Sequence, residues 1–200
     1  MRTVSPLRCT LLAALALAVG APTPARAQDT SLAVGDKAPA FQAVDDHGDL
    51  WRSADHVGDQ LLVVYFYPAA LSAGCTKQAC AFRDDHTRLN ELGAEVVGIS
   101  GDRISNLRAF RGAHQLNFPL LSDTTGAIAR SFGVPVGKGG IYTTTVNGKE
   151  LKLKRDVTAA RWTFIIDRTG HVVFKETEVN PAGDSQTVIA AIEKMNANGR

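Results

Sequence analysis

Seven consecutive apolar and aromatic residues, Leu61-Leu62-Val63-Val64-Tyr65-Phe66-Tyr67, run without a polar interruption and stop at Pro68. Side chains of a strand alternate between its two faces, so a run with no polar position reads as a strand covered on both sides of a sheet. Packed layers must then lie above and below it.

The flanking sequence supplies those layers. After a short loop, Cys75 to Leu92 reads as one helix, with Ala79, Phe82, His86 and Leu89 on its apolar stripe and Gly93 as its stop. A second buried strand is expected over Glu95 to Ser100, a helix over Ile104 to His114 and a short strand over Phe118 to Leu121. Thr125 to Phe132 reads as a short helix closed by Gly133. Trp162 to Ile166 and Val172 to Lys175 read as strands joined by the Asp167-Arg168-Thr169-Gly170 turn, and Ser185 to Met195 as a final helix. Before the first buried strand, turn signals at Asp45-Asp46 and His47-Gly48-Asp49 predict a small hairpin. Residues 135–160 lack periodicity, although Val146-Asn147-Gly148-Lys149 is a turn signal inside a candidate hairpin. This order predicts an α/β, thioredoxin-like fold: a central mixed sheet flanked by helices, with an N-terminal hairpin extension.

The first 27 residues stand apart. Arg2 and Arg8 make a basic start, Thr10 to Gly20 is an apolar run, and Ala25-Arg26-Ala27 is a small-x-small cleavage pattern. Together they read as a Sec-type signal peptide cut after Ala27, which predicts an exported, periplasmic protein. Residues 28–200 then form one domain, without a membrane anchor after cleavage. The leader holds three of the 22 basic residues and none of the 20 acidic ones, so the mature chain is nearly neutral. No basic cluster remains to argue for nucleic acid.

Removing the leader also removes Cys9, leaving Cys75 and Cys80. In an oxidising compartment two cysteines usually form a structural disulfide. Closing so small a loop removes little chain entropy, which favours a bond that opens and closes. Cys75 lies where the loop after the buried strand enters a helix, the end of an open α/β sheet at which ligands gather. The helix dipole and free amides there favour a thiolate. Ser72, three residues earlier, can aim its hydroxyl at the same pocket or serve as a turn residue. Arg161 directly precedes the strand at Trp162; it is either solvated or a cation beside the thiolate.

The segments Tyr65-Phe66-Tyr67-Pro68, Ser72-Ala73-Gly74-Cys75-Thr76 and Ala79-Cys80-Ala81-Phe82-Arg83-Asp84 resemble the active-site region of the peroxiredoxins, in the bacterioferritin comigratory protein or peroxiredoxin Q group. The resemblance extends through Val34 to Phe41, Phe118 to Asp123 and Arg161 to Asp167. It implies a peroxidatic Cys75, a resolving Cys80, a hydroxyl at Ser72, a shielding Pro68 and an activating Arg161. Two departures stand out: serine replaces the usual threonine at 72, and Ala73 stands where proline is common. The implied activity is reduction of hydrogen peroxide and organic hydroperoxides, with a thioredoxin-like dithiol as reductant, no cofactor and no metal, in a monomer or weak dimer.

Two other classes share these features. A thioredoxin-like disulfide oxidoreductase normally has two residues between its cysteines, whereas four separate Cys75 from Cys80. A copper-binding Sco-like module pairs cysteines three residues apart with a distant histidine. Here His171 reads as a solvated residue at a hairpin edge, and His86 as a packed core residue. Gly133 to Lys138 has phosphate-loop glycines at the wrong spacing and reads as an ordinary loop.

Overall fold

A computed structural model describes Met1 and residues 32–146 and 148–199; residues 2–27 of the expected signal peptide, with its expected cleavage point after Ala27, lie outside them. Chain order is β1 (Gln42–Asp45), β2 (Leu50–Arg52), a 3-10 turn, β3 (Leu61–Phe66), α1 (Ala73–Asp84), α2 (His86–Glu91), β4 (Ala94–Ser100), α3 (Ile104–His114), β5 (Leu120–Ser122) and α4 (Ala127–Ser131). Four strands follow, β6 (Val136–Lys138), β7 (Ile141–Val146), β8 (Lys149–Lys154) and β9 (Val157–Ala159). The chain then forms β10 (Trp162–Ile166), β11 (Val172–Glu176) and α5 (Asp184–Ala197).

Every residue of β3 is buried, as its apolar run requires. It lies inside a seven-stranded sheet of order β11-β10-β3-β4-β5-β1-β2. β3 pairs in parallel with β4 and antiparallel with β10, so the sheet is mixed. Alternation divides β3 between two cores. Val63, Tyr65 and Tyr67 pack with Ala79, Phe82, Leu107, Phe110, Val188 and Ile192 from α1, α3 and α5. Leu62, Val64 and Phe66 pack on the other face with Phe132, Phe164, Ile128 and Trp51. Burial of each large side chain contributes about 1.5–3 kcal/mol.

The expected N-terminal hairpin forms, and because β1 also pairs with β5, β1 and β2 make one edge of the main sheet. Two expectations are corrected. The helix expected from Cys75 to Leu92 starts earlier, at Ala73, and divides at Asp85, whose backbone (φ −88°, ψ 3°) leaves helical geometry. The Asp85 carboxylate accepts hydrogen bonds from Ser185 Oγ (2.6 Å) and Gln186 Nε2 (2.7 Å), tying the break to α5. That bend keeps Phe82 and Leu89 in the core but leaves His86 only half-buried, facing Asn90 instead of the interior. The unplaced segment 135–160 forms two nested antiparallel pairs, β6 with β9 and β7 with β8, with Val146 opposite Lys149 as the turn signal predicted. Gly133 is a positive-φ residue after α4, and the stretch beyond it enters β6, not a phosphate-binding helix.

Candidate active site

Pairing of β3 ends with Tyr67 N–H donating to Ile99 O at 3.0 Å; Pro68 next has no N–H to continue the ladder. The chain then turns tightly. Ser72 N–H and Ser72 Oγ both donate to the Ala69 carbonyl, at 3.3 and 2.9 Å. Leu71 adopts φ +61°, a left-handed conformation that is uncommon outside glycine, and its buried side chain holds it there. The Ala70 amide donates to Asp102 Oδ2 at 2.7 Å. Asp102 is itself fully buried and takes further bonds from Ser100 Oγ (3.1 Å) and Asn106 Nδ2 (3.0 Å), with Arg155 Nε 3.5 Å away. The loop entering α1 is therefore pinned to the end of β4 and to the strand-rich excursion that carries Arg155.

Cys75 lies in the first turn of α1, 1% exposed, with its thiol free. Sheet register brings Arg161 to it. β10 runs antiparallel to β3 with Trp162 opposite Phe66, so the residue before Trp162 sits beside the end of β3 from which the loop departs. Arg161 Nη2 lies 3.3 Å from Cys75 Sγ, and Nη1 donates to Gln78 Oε1. Gly74 makes room: a Cβ there would come within 3.3 Å of Nη2. Gln78 Nε2 in turn donates to Asp184 Oδ2 at 2.7 Å, and Thr163 Oγ1 donates to the same oxygen at 2.8 Å. Burial pushes Asp184 up from the ordinary carboxylate range, against these hydrogen bonds and the Arg161 charge. Tyr65 stays a neutral phenol. Burial raises it well above its ordinary value, the neighbouring Cys75 and Asp184 add to the rise, and Arg161 opposes it.

Cys80 is half-buried on the same helix and also free. Arg83 lies close by; the hydrogen bond from its guanidinium to Asp84 raises it, and Cys80 adds to the effect. Of the five residues singled out by sequence, Cys75 and Arg161 meet directly, Cys80 shares their helix, and Pro68 lies half-buried at the start of the loop. Ser72 is at the N-terminal boundary of α1, with its hydroxyl turned to Ala69, which matches the turn reading of its position. Sequence reasoning missed Gln78, Asp184, Asp102 and Gly74. Gln78 had a signal, because it falls three residues after Cys75 on the same helical face; Asp184, over a hundred residues away, had none. His171 is half-buried, its Nδ1 2.8 Å from Thr169 Oγ1 at the β10–β11 turn. Among the described residues no group of three His, Cys, Asp or Glu side chains could hold a metal, and no helix is long and apolar enough to cross a membrane.

The signature of the AhpC/TSA family matches residues 34–175. A Mycobacterium tuberculosis protein carrying a provisional peroxiredoxin name is 41% identical over 154 residues, covering 77% of this chain and 90% of its own. Chloroplastic peroxiredoxin Q of Populus jackii is 39% identical over 138 residues, 69% of this chain and 57% of its own. Among solved structures, peroxidoxin BcpB from Mycobacterium tuberculosis superposes with a TM-score of 0.68 at 31% identity, over 82% of this chain and 98% of its own. A bacterioferritin comigratory protein of Xanthomonas campestris, studied for alkyl peroxide reduction, superposes with a TM-score of 0.63 at 27% identity, over 77% of this chain and 90% of its own.

Proposed function

This chain belongs to the AhpC/TSA family and is a thiol-dependent peroxidase of the peroxiredoxin Q type, and we propose that Cys75 is its peroxidatic residue and Cys80 its resolving one. One observation carries the assignment: Arg161 Nη2 sits 3.3 Å from the sulfur of a buried cysteine in the first turn of a helix. A fixed cation and a helix N-terminus both favour the thiolate and the negative charge that develops on a departing oxygen.

The reaction then follows from the groups present. The Cys75 thiolate attacks the nearer oxygen of a hydroperoxide; the O–O bond breaks, and the leaving alkoxide or hydroxide takes a proton. Cys75 is left as sulfenic acid. The Cys80 thiolate attacks that sulfur, water leaves, and a disulfide forms. A thioredoxin-like dithiol reduces the disulfide by exchange and restores both thiols. Hydrogen peroxide and organic hydroperoxides are the substrates. Because both cysteines lie on α1, the cycle is complete within one chain, which suits a monomer or weak dimer. The pattern of residues 1–27 supports export, and an exported protein must draw its electrons from a dithiol outside the cytoplasm.

Cys75→Ser tests the central assignment. The variant is expected to keep the wild-type unfolding midpoint and to lose peroxide consumption. Consumption at the wild-type rate would refute it.

A further inference from the structure

The peroxidase cycle uses no residue of the C-terminal helix, yet Asp184, at the start of α5, is 2% exposed and lies two hydrogen bonds from the guanidinium that faces the reactive sulfur. Its Oδ2 accepts from Gln78 and from Thr163, while Oδ1 has no partner among the described residues. Removing a carboxylate from water carries a large penalty unless its contacts offset it.

The donor and acceptor inventory explains what those contacts do. A guanidinium only donates, so the Gln78 atom facing Arg161 must be the carbonyl oxygen Oε1. That orientation turns Nε2 to the opposite side, where it needs an acceptor because Gln78 is 0% exposed. Asp184 Oδ2 is that acceptor. Flipping the amide would set Nε2 against the guanidinium and Oε1 against the carboxylate, two repulsive contacts in place of two hydrogen bonds. Thr163 adds the second anchor. It belongs to β10, the strand that Arg161 immediately precedes, so carboxylate and guanidinium are referenced to one scaffold.

We infer that Asp184 is a positioning residue for the peroxidase reaction: by fixing the amide of Gln78, it holds Arg161 with Nη2 on the Cys75 sulfur. This rests on Cys75 being the peroxidatic residue. Asp184 touches neither peroxide nor sulfur, and its effect must pass through Arg161.

The test is a double-mutant cycle read by the second-order rate of Cys75 oxidation by hydrogen peroxide in a single turnover. Asp184→Ala removes the acceptor and is expected to lower that rate about tenfold, the scale of a modest misplacement of a catalytic group. Asp184→Asn, which still offers an oxygen to Gln78 Nε2, is expected to recover most of the loss. In an Arg161→Met background, Asp184→Ala should change the rate by less than about twofold. Should Asp184→Ala not fold, Gln78→Met breaks the same link from its other end and is expected to give the same tenfold loss and the same silence beside Arg161→Met. A tenfold loss in both backgrounds would overturn the inference, as would folded Asp184→Ala or Gln78→Met oxidising at the wild-type rate. Loss of activity in Cys75→Ser alongside an unaffected Asp184→Ala leaves the peroxidase assignment intact and removes only the relay; full activity in Cys75→Ser removes both.

Discussion

Closing the Cys75–Cys80 bond requires α1 to open, and the size of the change follows from helix geometry. Both cysteines lie within the helix Ala73–Asp84. Five residues of α-helix advance about 7.5 Å and rotate about 140° on a radius of about 2.3 Å, which places the two Cα atoms about 8.7 Å apart. Disulfide-bonded Cα atoms lie no more than about 6.8 Å apart, with side chains converging. The helix therefore has to give up about 2 Å and most of a half-turn, which a packed α-helix cannot supply by bending. Opening the first turns also breaks the Arg161–Cys75 contact and the Gln78–Asp184 hydrogen bond. Beyond the break, Asp85 remains tied to Ser185 and Gln186, so unwinding should stop short of α2. Amide hydrogen exchange on the reduced protein and on protein oxidised with one equivalent of peroxide measures this directly. In the oxidised state the amides of residues 76–80 should exchange about a hundredfold faster or more, the scale set by about 2.8 kcal/mol of lost local protection. Amides of β3 and β4 should not change. Cys80→Ser, which cannot close the bond, should keep residues 76–80 protected after oxidation. Equal protection of these amides in reduced and disulfide forms of the wild type would refute intramolecular resolution by Cys80.

Further expectations concern the supports of the site. Gly74→Val should crowd Arg161 Nη2, since even a Cβ at this position would lie 3.3 Å from it; peroxide oxidation of Cys75 should slow about tenfold. Gly74→Ala, which adds only that Cβ, should slow it less than the valine does, and a valine variant with the wild-type rate would contradict the geometry. Asp102→Ala strips a buried carboxylate from Ala70 N–H, Ser100, Asn106 and Arg155. It should lower stability by about 3–5 kcal/mol in urea unfolding, because Arg155 is left buried without its counter-charge; a shift below about 1 kcal/mol would show that the network carries little. At the β10–β11 turn, burial alone would raise Asp167, but hydrogen bonds from His171 N–H and from Thr169 Oγ1 and N–H outweigh it and hold the carboxyl below its ordinary value. A depressed carboxylate stabilises the fold above its unfolded-state value and loses that contribution as pH falls through the folded one. The stability gap between wild type and Asp167→Asn should therefore be full at pH 7 and shrink below about pH 4; a gap that persists unchanged into acid would show that the charge is not involved.

Much of this protein was legible along the chain. The unbroken run Leu61 to Tyr67 demanded a strand with two cores, and β3 divides its side chains between them. Ile104–His114 and Trp162–Ile166 form as their local patterns predict, because helix and strand periodicity are set by neighbours a few residues apart. Cys75 was marked by its place between a strand and a helix. What the chain order could not decide was which distant groups meet. Arg161 reaches Cys75 through the pairing of β10 with β3, 86 residues away in sequence. Asp85, where the helix breaks, is held by two donors on α5, and His86 lies just beyond that break, only half-buried. Asp184 and Gln78 become a pair only when α5 packs beside α1. Local pattern determines elements because its energetics are short-ranged. The electrostatic surroundings of the sulfur depend on sheet register and helix docking, which only the folded chain sets.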